Sequence, residues 1–230
     1  MAIEFSNNPN NERLVSAATF TPGLAHSVSL WLRYTSLVAN IRRLLGSVTQ
    51  FEFRGGNGAG TQPPGQLVND MYSLSDGAMS VALLTAGPWF HVVFTGERSG
   101  GNSITDIYIN GVLDSGPFSI AESIPGAALM TLGNRTGVGV TDGLNGLLDD
   151  VRIYNRRLSP AEVQSIFAAR GRDSVLQGLL SRITFKGVPG TSPVGADSVK
   201  DVGPSGNHYT PTGSPVYREK FIGGLRRRVG

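Results

Sequence analysis

Hydrophobic and polar residues alternate with a period of two in short segments along most of the chain, and Gly, Asn, Pro and Ser separate these segments. In 26–34, Val28, Leu30, Leu32 and Tyr34 fall on one face and Ser27, Ser29, Trp31 and Arg33 on the other, a period of two that predicts a strand. The same signal returns at Phe51 with Phe53, at 67–72, at 79–84 and at 89–95. Residues 104–109 run into Asn110-Gly111 and out through Val112-Leu113. Asn-Gly supplies the two positive φ values of a type I′ turn, so a hairpin is expected there. A further strand is predicted at 147–154, where Leu147, Asp149, Val151 and Ile153 alternate with Leu148, Asp150, Arg152 and Tyr154. Strict alternation would send Asp149 and Asp150 to opposite faces.

A single helix is marked at both ends. Ser159 is its N-cap, Pro160 occupies the first helical position, and Glu162 completes a capping box. Leu158 is placed to staple onto Val163, the stripe Val163, Ile166 and Phe167 is apolar on one side, and Gly171 is placed to end the helix. So short a helix needs a sheet to dock on. Residues 180–185 read as one more strand, and 187–214 are rich in Gly, Pro, Ser, Thr and Asn. Val194, Val199, Val202, Tyr209, Val216, Tyr217 and Phe221 punctuate that region, so it is expected to be irregular but packed. The fold class that follows is all-β: a two-sheet antiparallel sandwich with one short α-helix and an irregular C-terminal segment.

Composition narrows the class. The 230 residues hold 31 Gly, 13 Pro and no Cys, so neither a disulfide framework nor a thiolate metal site is available. No apolar run reaches membrane-spanning length, and the first residues do not read as a signal peptide, so neither a membrane nor an export route is expected. The net charge of +3 is misleading, because 218–230 carries +4 and leaves 15 basic against 16 acidic residues elsewhere. A basic tail at 226–228, rather than a nucleic-acid face, is what the charge describes. Arg outnumbers Lys by 17 to 3, which favours carboxylate pairing and leans towards an assembly component.

The run from Leu147 through Tyr154, Ser159-Pro160 and Val163 resembles the closing strand and capped helix of laminin-G-like, concanavalin-A-like jelly-roll domains. Ala2-Ile3-Glu4-Phe5, Ser27 to Leu32, Trp89 to Phe94 and Ile107 to Val112 resemble that family's other strands and follow its order. The resemblance covers roughly 2–170 and implies a jelly-roll domain at 1–172. It leaves 173–230 as an extension on the sandwich or on a neighbouring subunit. Phe185, the 197–201 region and Gly203 to His208 are similar to a stretch that in such proteins often precedes the first strand.

The family includes glucanases, whose chemistry requires two carboxyl groups about 5 to 5.5 Å apart for retention. No run of alternating acids on one strand face is present, and Glu52 with Asp106 is left as a long-range pairing. There is no G-x-S-x-G elbow, and His26, His91 and His208 have no metal-type partner in sequence. Gly55 to Gly60 lacks the Lys-Ser/Thr of a phosphate loop. A non-enzymatic chain is therefore expected.

The resemblance also implies Ca²⁺ between the turn after the first strand and the acidic end of the 147–154 strand. Here the turn offers amides, so Asn8, Asn11, Asp149 and Asp150 are candidate ligands of a weak site at most. The alternative is that Asx side chains cap the turn and that Asp149 or Asp150 pairs with an arginine. Tyr72, Trp89 and Tyr108 are candidates for stacking on sugar rings, although both tryptophans sit in strand patterns that favour burial. One-domain chains of this kind resemble phage structural proteins. The expected function is thus an adhesive virion component, a capsid decoration or fibre-type protein at the virion surface, made in the host cytoplasm. Its expected partners are the capsid shell, further copies of itself and a host-surface glycan, with neither nucleic acid nor membrane. The alternatives are a soluble carbohydrate-binding lectin module and a glycan-cleaving enzyme.

Overall fold

The computed structural model describes residues 1–6, 11–21, 23–37, 42–47, 52–56, 62–70, 77–121, 126–134 and 142–219. Phe51, Phe221 and residues 226–228 lie outside them. Fifteen strands and one helix are found among the described residues. In chain order these are β1 (Ala2–Phe5), β2 (Arg13–Phe20), β3 (Ala25–Tyr34), β4 (Arg42–Gly46), β5 (Glu52–Gly55), β6 (Gln66–Asn69), β7 (Ala78–Leu83) and β8 (Phe90–Ser99). There follow β9 (Asn102–Ile109), β10 (Val112–Ala121), β11 (Ala128–Leu132), β12 (Gly146–Tyr154), α1 (Pro160–Ala169), β13 (Leu179–Ile183), β14 (Tyr209–Thr212) and β15 (Val216–Arg218).

The strands form two antiparallel sheets. The first has the order β10-β9-β8-β3-β12-β1-β15, with β13 also paired to β12; the second has the order β14-β2-β11-β4-β5-β6-β7. Their facing sides supply the core. Val28, Leu30, Leu32 and Tyr34 of β3 point inward, as the alternation predicts, to meet Leu14, Leu45, Phe53 and Leu132 from the second sheet. Phe53 and Phe94 touch across the gap with ring centroids 4.6 Å apart. The predicted hairpin forms, with Asn110 at φ 52° and Gly111 at φ 83°, the left-handed pair a type I′ turn requires.

Helix α1 lies on the outer side of the first sheet. Ser159 Oγ accepts from the Glu162 amide and Glu162 accepts in return from the Ser159 amide, the reciprocal capping box. Val163 and Ile166 pack with Val93, Tyr108, Tyr154 and Leu158 in a second, smaller core. Phe167 stacks over Trp31 at 5.8 Å and faces His91 at 6.0 Å. The chain leaves the helix through two consecutive left-handed residues, Arg170 at φ 49° and Gly171 at φ 86°, so the break starts one residue before the glycine.

Residues 173–219 are woven into both sheets: β13 pairs with β12, β14 with β2 and β15 with β1. Val199, Tyr209 and Tyr217 join the main core, whereas Val194 and Val202 are exposed. Asp201 shapes the connecting turn by accepting from the amides of Arg182, Gly203 and Asn207 and from Ser205 Oγ. The Asn207 side chain then bonds the Ala18 amide and carbonyl at 2.8 and 2.9 Å, pinning the turn to β2.

Candidate functional site

The acidic pair of β12 is arranged differently from the strict alternation. Asp150 adopts φ 44°, and the register against β3 slips between Asp149 and Arg152, which marks a β-bulge. Leu148 therefore shares the inward side with Val151 and Ile153, and both aspartates line one outer-face pocket of about 210 Å³. The expectation of opposite faces is corrected: the extra residue of the bulge resets the alternation. Asp149 Oδ1 accepts from the Asp150 amide at 2.8 Å. Asp150 accepts from Arg152 at 2.7 and 3.2 Å and from Arg182 at 2.8 Å. Arg152, fully buried, also holds Asp173 at 2.7 and 2.8 Å, and Arg182 donates to the Gly171 carbonyl at 2.7 Å.

Burial by itself would raise the pKa of Asp150, but the hydrogen bonds and charges of Arg152 and Arg182 outweigh it and hold the carboxyl below its ordinary range. Asp173 is likewise lowered, burial being overcome by Arg152. At the helix, Arg156 grips Glu162 at 2.5 and 2.8 Å and, against a smaller effect of burial, holds its pKa at about 2. Arginine is thus the partner of the principal carboxylates: Arg43 pairs with Glu52 at 2.5 Å and Asp142 at 2.9 Å, and Arg54 with Asp70 at 2.7 Å. Arg157 pairs with Asp106. Glu52 and Asp106, the long-range pairing considered from the sequence, stand on different sheets and are each tied to a different arginine.

Of the candidate calcium ligands that the structure describes, Asn11 stands apart from Asp149 and Asp150. Asn8 lies outside the described residues. Asn11 follows the far end of β1, where Phe5 is opposite Gly146, and its Oδ1 accepts from Asn134 Nδ2 at 2.7 Å. Asp149 lies beyond the other end of that register, past the Ile3–Leu148 pair. Asp150 is committed to two guanidinium groups that neutralise it, which does not fit a ligand of a hard cation. Among the described residues no cluster of three or more His, Asp or Glu is placed to hold a metal ion.

The remaining sequence candidates are distributed over the fold. Tyr72 lies outside the described residues, Tyr108 is buried beneath α1, and Trp89 is half-buried. His91 bonds Ser29 at 2.9 Å on the outer face under Phe167. His26 points into the core opposite Gly96, and burial pushes its pKa down to about 3. The arginine pairing weighed from the sequence is what Asp150 adopts, and only the identity of its partners, Arg152 and Arg182, was not named there; the excess of Arg over Lys is the signal that pointed to such pairing.

These features define a lectin-type β-sandwich with a helix clasped to one face. A model of the concanavalin A-like lectin/glucanases superfamily matches residues 7–164. The chain belongs to that superfamily. Among solved structures, a candidate carbohydrate-binding protein from Bacteroides ovatus ATCC 8483 superposes with a TM-score of 0.66 at 17% identity, over 95% of this chain and 61% of the other. This chain therefore spans about three fifths of that protein's length. The heptameric SAP-like pentraxin of Limulus polyphemus matches with a TM-score of 0.59 at 16% identity, covering 74% and 83% of the two chains. Domain 4 of the Geobacillus stearothermophilus arabinanase AbnA, solved with arabinotriose, matches with a TM-score of 0.51 at 22% identity, covering 71% and 74%. No curated protein matches the sequence.

Proposed function

We propose that this chain is a non-catalytic, lectin-like adhesive protein that recognises carbohydrate. The commitment of Glu52, Asp70, Asp106, Asp150, Asp173 and Glu162 to arginine carries this reading. A glycoside hydrolase needs one carboxyl kept protonated near neutral pH beside a second free one, whereas Asp150, Asp173 and Glu162 are all held in the ionised form. The neighbours described as carbohydrate-binding and as arabinotriose-bound support the sugar-binding half of the reading. Fold likeness alone does not carry activity. A glycan array paired with a reducing-sugar assay on the bound polysaccharides tests it. Binding without release of reducing ends is the expected result; product release overturns the non-catalytic reading, and a blank array overturns the lectin reading.

A second reading places the same molecule on a phage particle, docked to the capsid shell or to copies of itself. The exposed apolar side chains Val81 and Leu83 of β7 and Val112 and Leu113 of β10 favour it, because these two strands abut at one edge of the sandwich. The heptameric pentraxin adds support for assembly. Light scattering of the purified chain and imaging of the native particle test this: a monomer absent from the virion surface excludes it.

A further inference from the structure

We infer that the outer face of the first sheet carries a binding groove for a carboxylate-bearing sugar, centred on Arg33, as a subsite that rests on the lectin reading above. Arg33 of β3, Leu147 of β12, Glu4 of β1 and Arg218 of β15 line it together with Thr35 and Glu219, around a volume of about 260 Å³. The strand register builds this row. Arg33 is opposite Leu147, and Leu147 is opposite Glu4, so three neighbouring strands present their side chains side by side on one face.

Arg33 sets the chemistry. Arginines 43, 54, 152, 156, 157, 182 and 218 each hold a carboxylate. Arg33 holds none among the described residues, and its Nε is shielded from water with no acceptor in reach. Arg33 is half-buried, and a guanidinium that no carboxylate already holds keeps its charge for an incoming anion, whose carboxylate its planar fork matches in two parallel hydrogen bonds. Glu4 adds no free charge, because Arg218 grips it at 2.5 Å. Glu219 sits exposed at the rim, where solvent screens it from a bound anion and where it is suited to accept from sugar hydroxyls. Thr35 offers a hydroxyl, and the buried Leu147 gives an apolar floor for the C–H face of a ring. The groove is smaller than the roughly 300–1,000 Å³ of drug-sized sites and suits a single sugar unit of a longer chain.

The test is a titration of ¹⁵N-labelled protein with trigalacturonate and with sialyllactose, beside galactotriose and lactose as neutral counterparts. At least one acidic probe is expected to shift the amides of Arg33, Thr35, Leu147 and Arg218, with the neutral probes leaving them in place. Arg33→Gln is expected to weaken that binding at least tenfold and Arg33→Lys to weaken it less, both melting with the wild type because Arg33 makes no ion pair. Equal response to acidic and neutral probes, shifts that map elsewhere, unchanged affinity in Arg33→Gln, or no response to either acid overturns the subsite. A protein that binds only neutral glycans on the array loses the subsite and keeps the lectin reading. A blank array with no shift from any probe overturns both.

Discussion

Arg152 is a charge with no exposure to water, and its four contacts to Asp150 and Asp173 are what make that burial tolerable. Removing one partner strands the cation. Asp150→Asn keeps a residue at ease with the left-handed backbone of the bulge, so its effect isolates the lost charge. A destabilisation of about 2–4 kcal/mol in urea unfolding is expected, close to the value for breaking a buried pair; a loss below about 1 kcal/mol would show that Asp173 alone suffices. His26 makes a second residue-scale prediction. Its pKa drops from 6.5 to about 3 on folding through burial, so the unfolded chain binds the proton more readily. Stability is therefore complete above pH 6.5 and declines as the pH falls towards 3, by about 2 kcal/mol at pH 5. Thermal melts between pH 7 and 5 should show this decline, and His26→Gln should flatten it. Gly96 is the counterpart: a Cβ there would sit 2.3 Å from the imidazole, so Gly96→Ala is expected to cost about 1–3 kcal/mol.

At the level of elements, α1 shows how a short helix is held by several weak devices at once. Ser159→Ala removes the hydroxyl of the capping box and is expected to lower stability by about 1 kcal/mol, read from the shift of the urea midpoint at constant slope. This helix, the Asn110-Gly111 hairpin, β3 and β12 were legible in the sequence, because each combines a clean period with a specific start or stop signal. Strands β2, β4 and β11 were not, since Leu44-Leu45 and the run Arg13–Phe20 depart from strict alternation where the register shifts. β14 and β15 hid in a region of turn residues, and only their buried Tyr209 and Tyr217 betrayed them. The site was legible as residue types but not as geometry. Asp149 and Asp150 stood out, yet a bulge cannot be read from two adjacent acids, and Arg182 is joined to Asp150, and Asp173 to Arg152, only by folding. Arg33 was only one polar position on a strand face, since the lack of a partner is a property of its surroundings.

Taken as a whole molecule, the sandwich is closed by its last strands. A chain ending at Arg172 loses β13, β14 and β15, and with them the cover of Tyr209 and Tyr217 over the core. Such a chain is expected to lose its cooperative thermal transition; circular dichroism with an unchanged melting point would show that the extension is dispensable. The opposite margin is guarded by one side chain. Asp114 of β10 accepts from the Val81 and Ala82 amides of β7 at 2.7 and 3.1 Å, occupying donors that an edge strand would otherwise offer to another chain. Asp114→Ala is expected to raise the fraction of large species in size-exclusion chromatography without altering the monomer's circular dichroism.

The register of β15 on β1 sets Ala2 beside Arg218, so the two strands run in opposite directions from a shared corner. A force applied through those two residues opens that seam like a zipper, loading one rung of perpendicular hydrogen bonds at a time instead of shearing the ladder together. A molecule held in that way would yield at its seam under modest tension, before its interior gives.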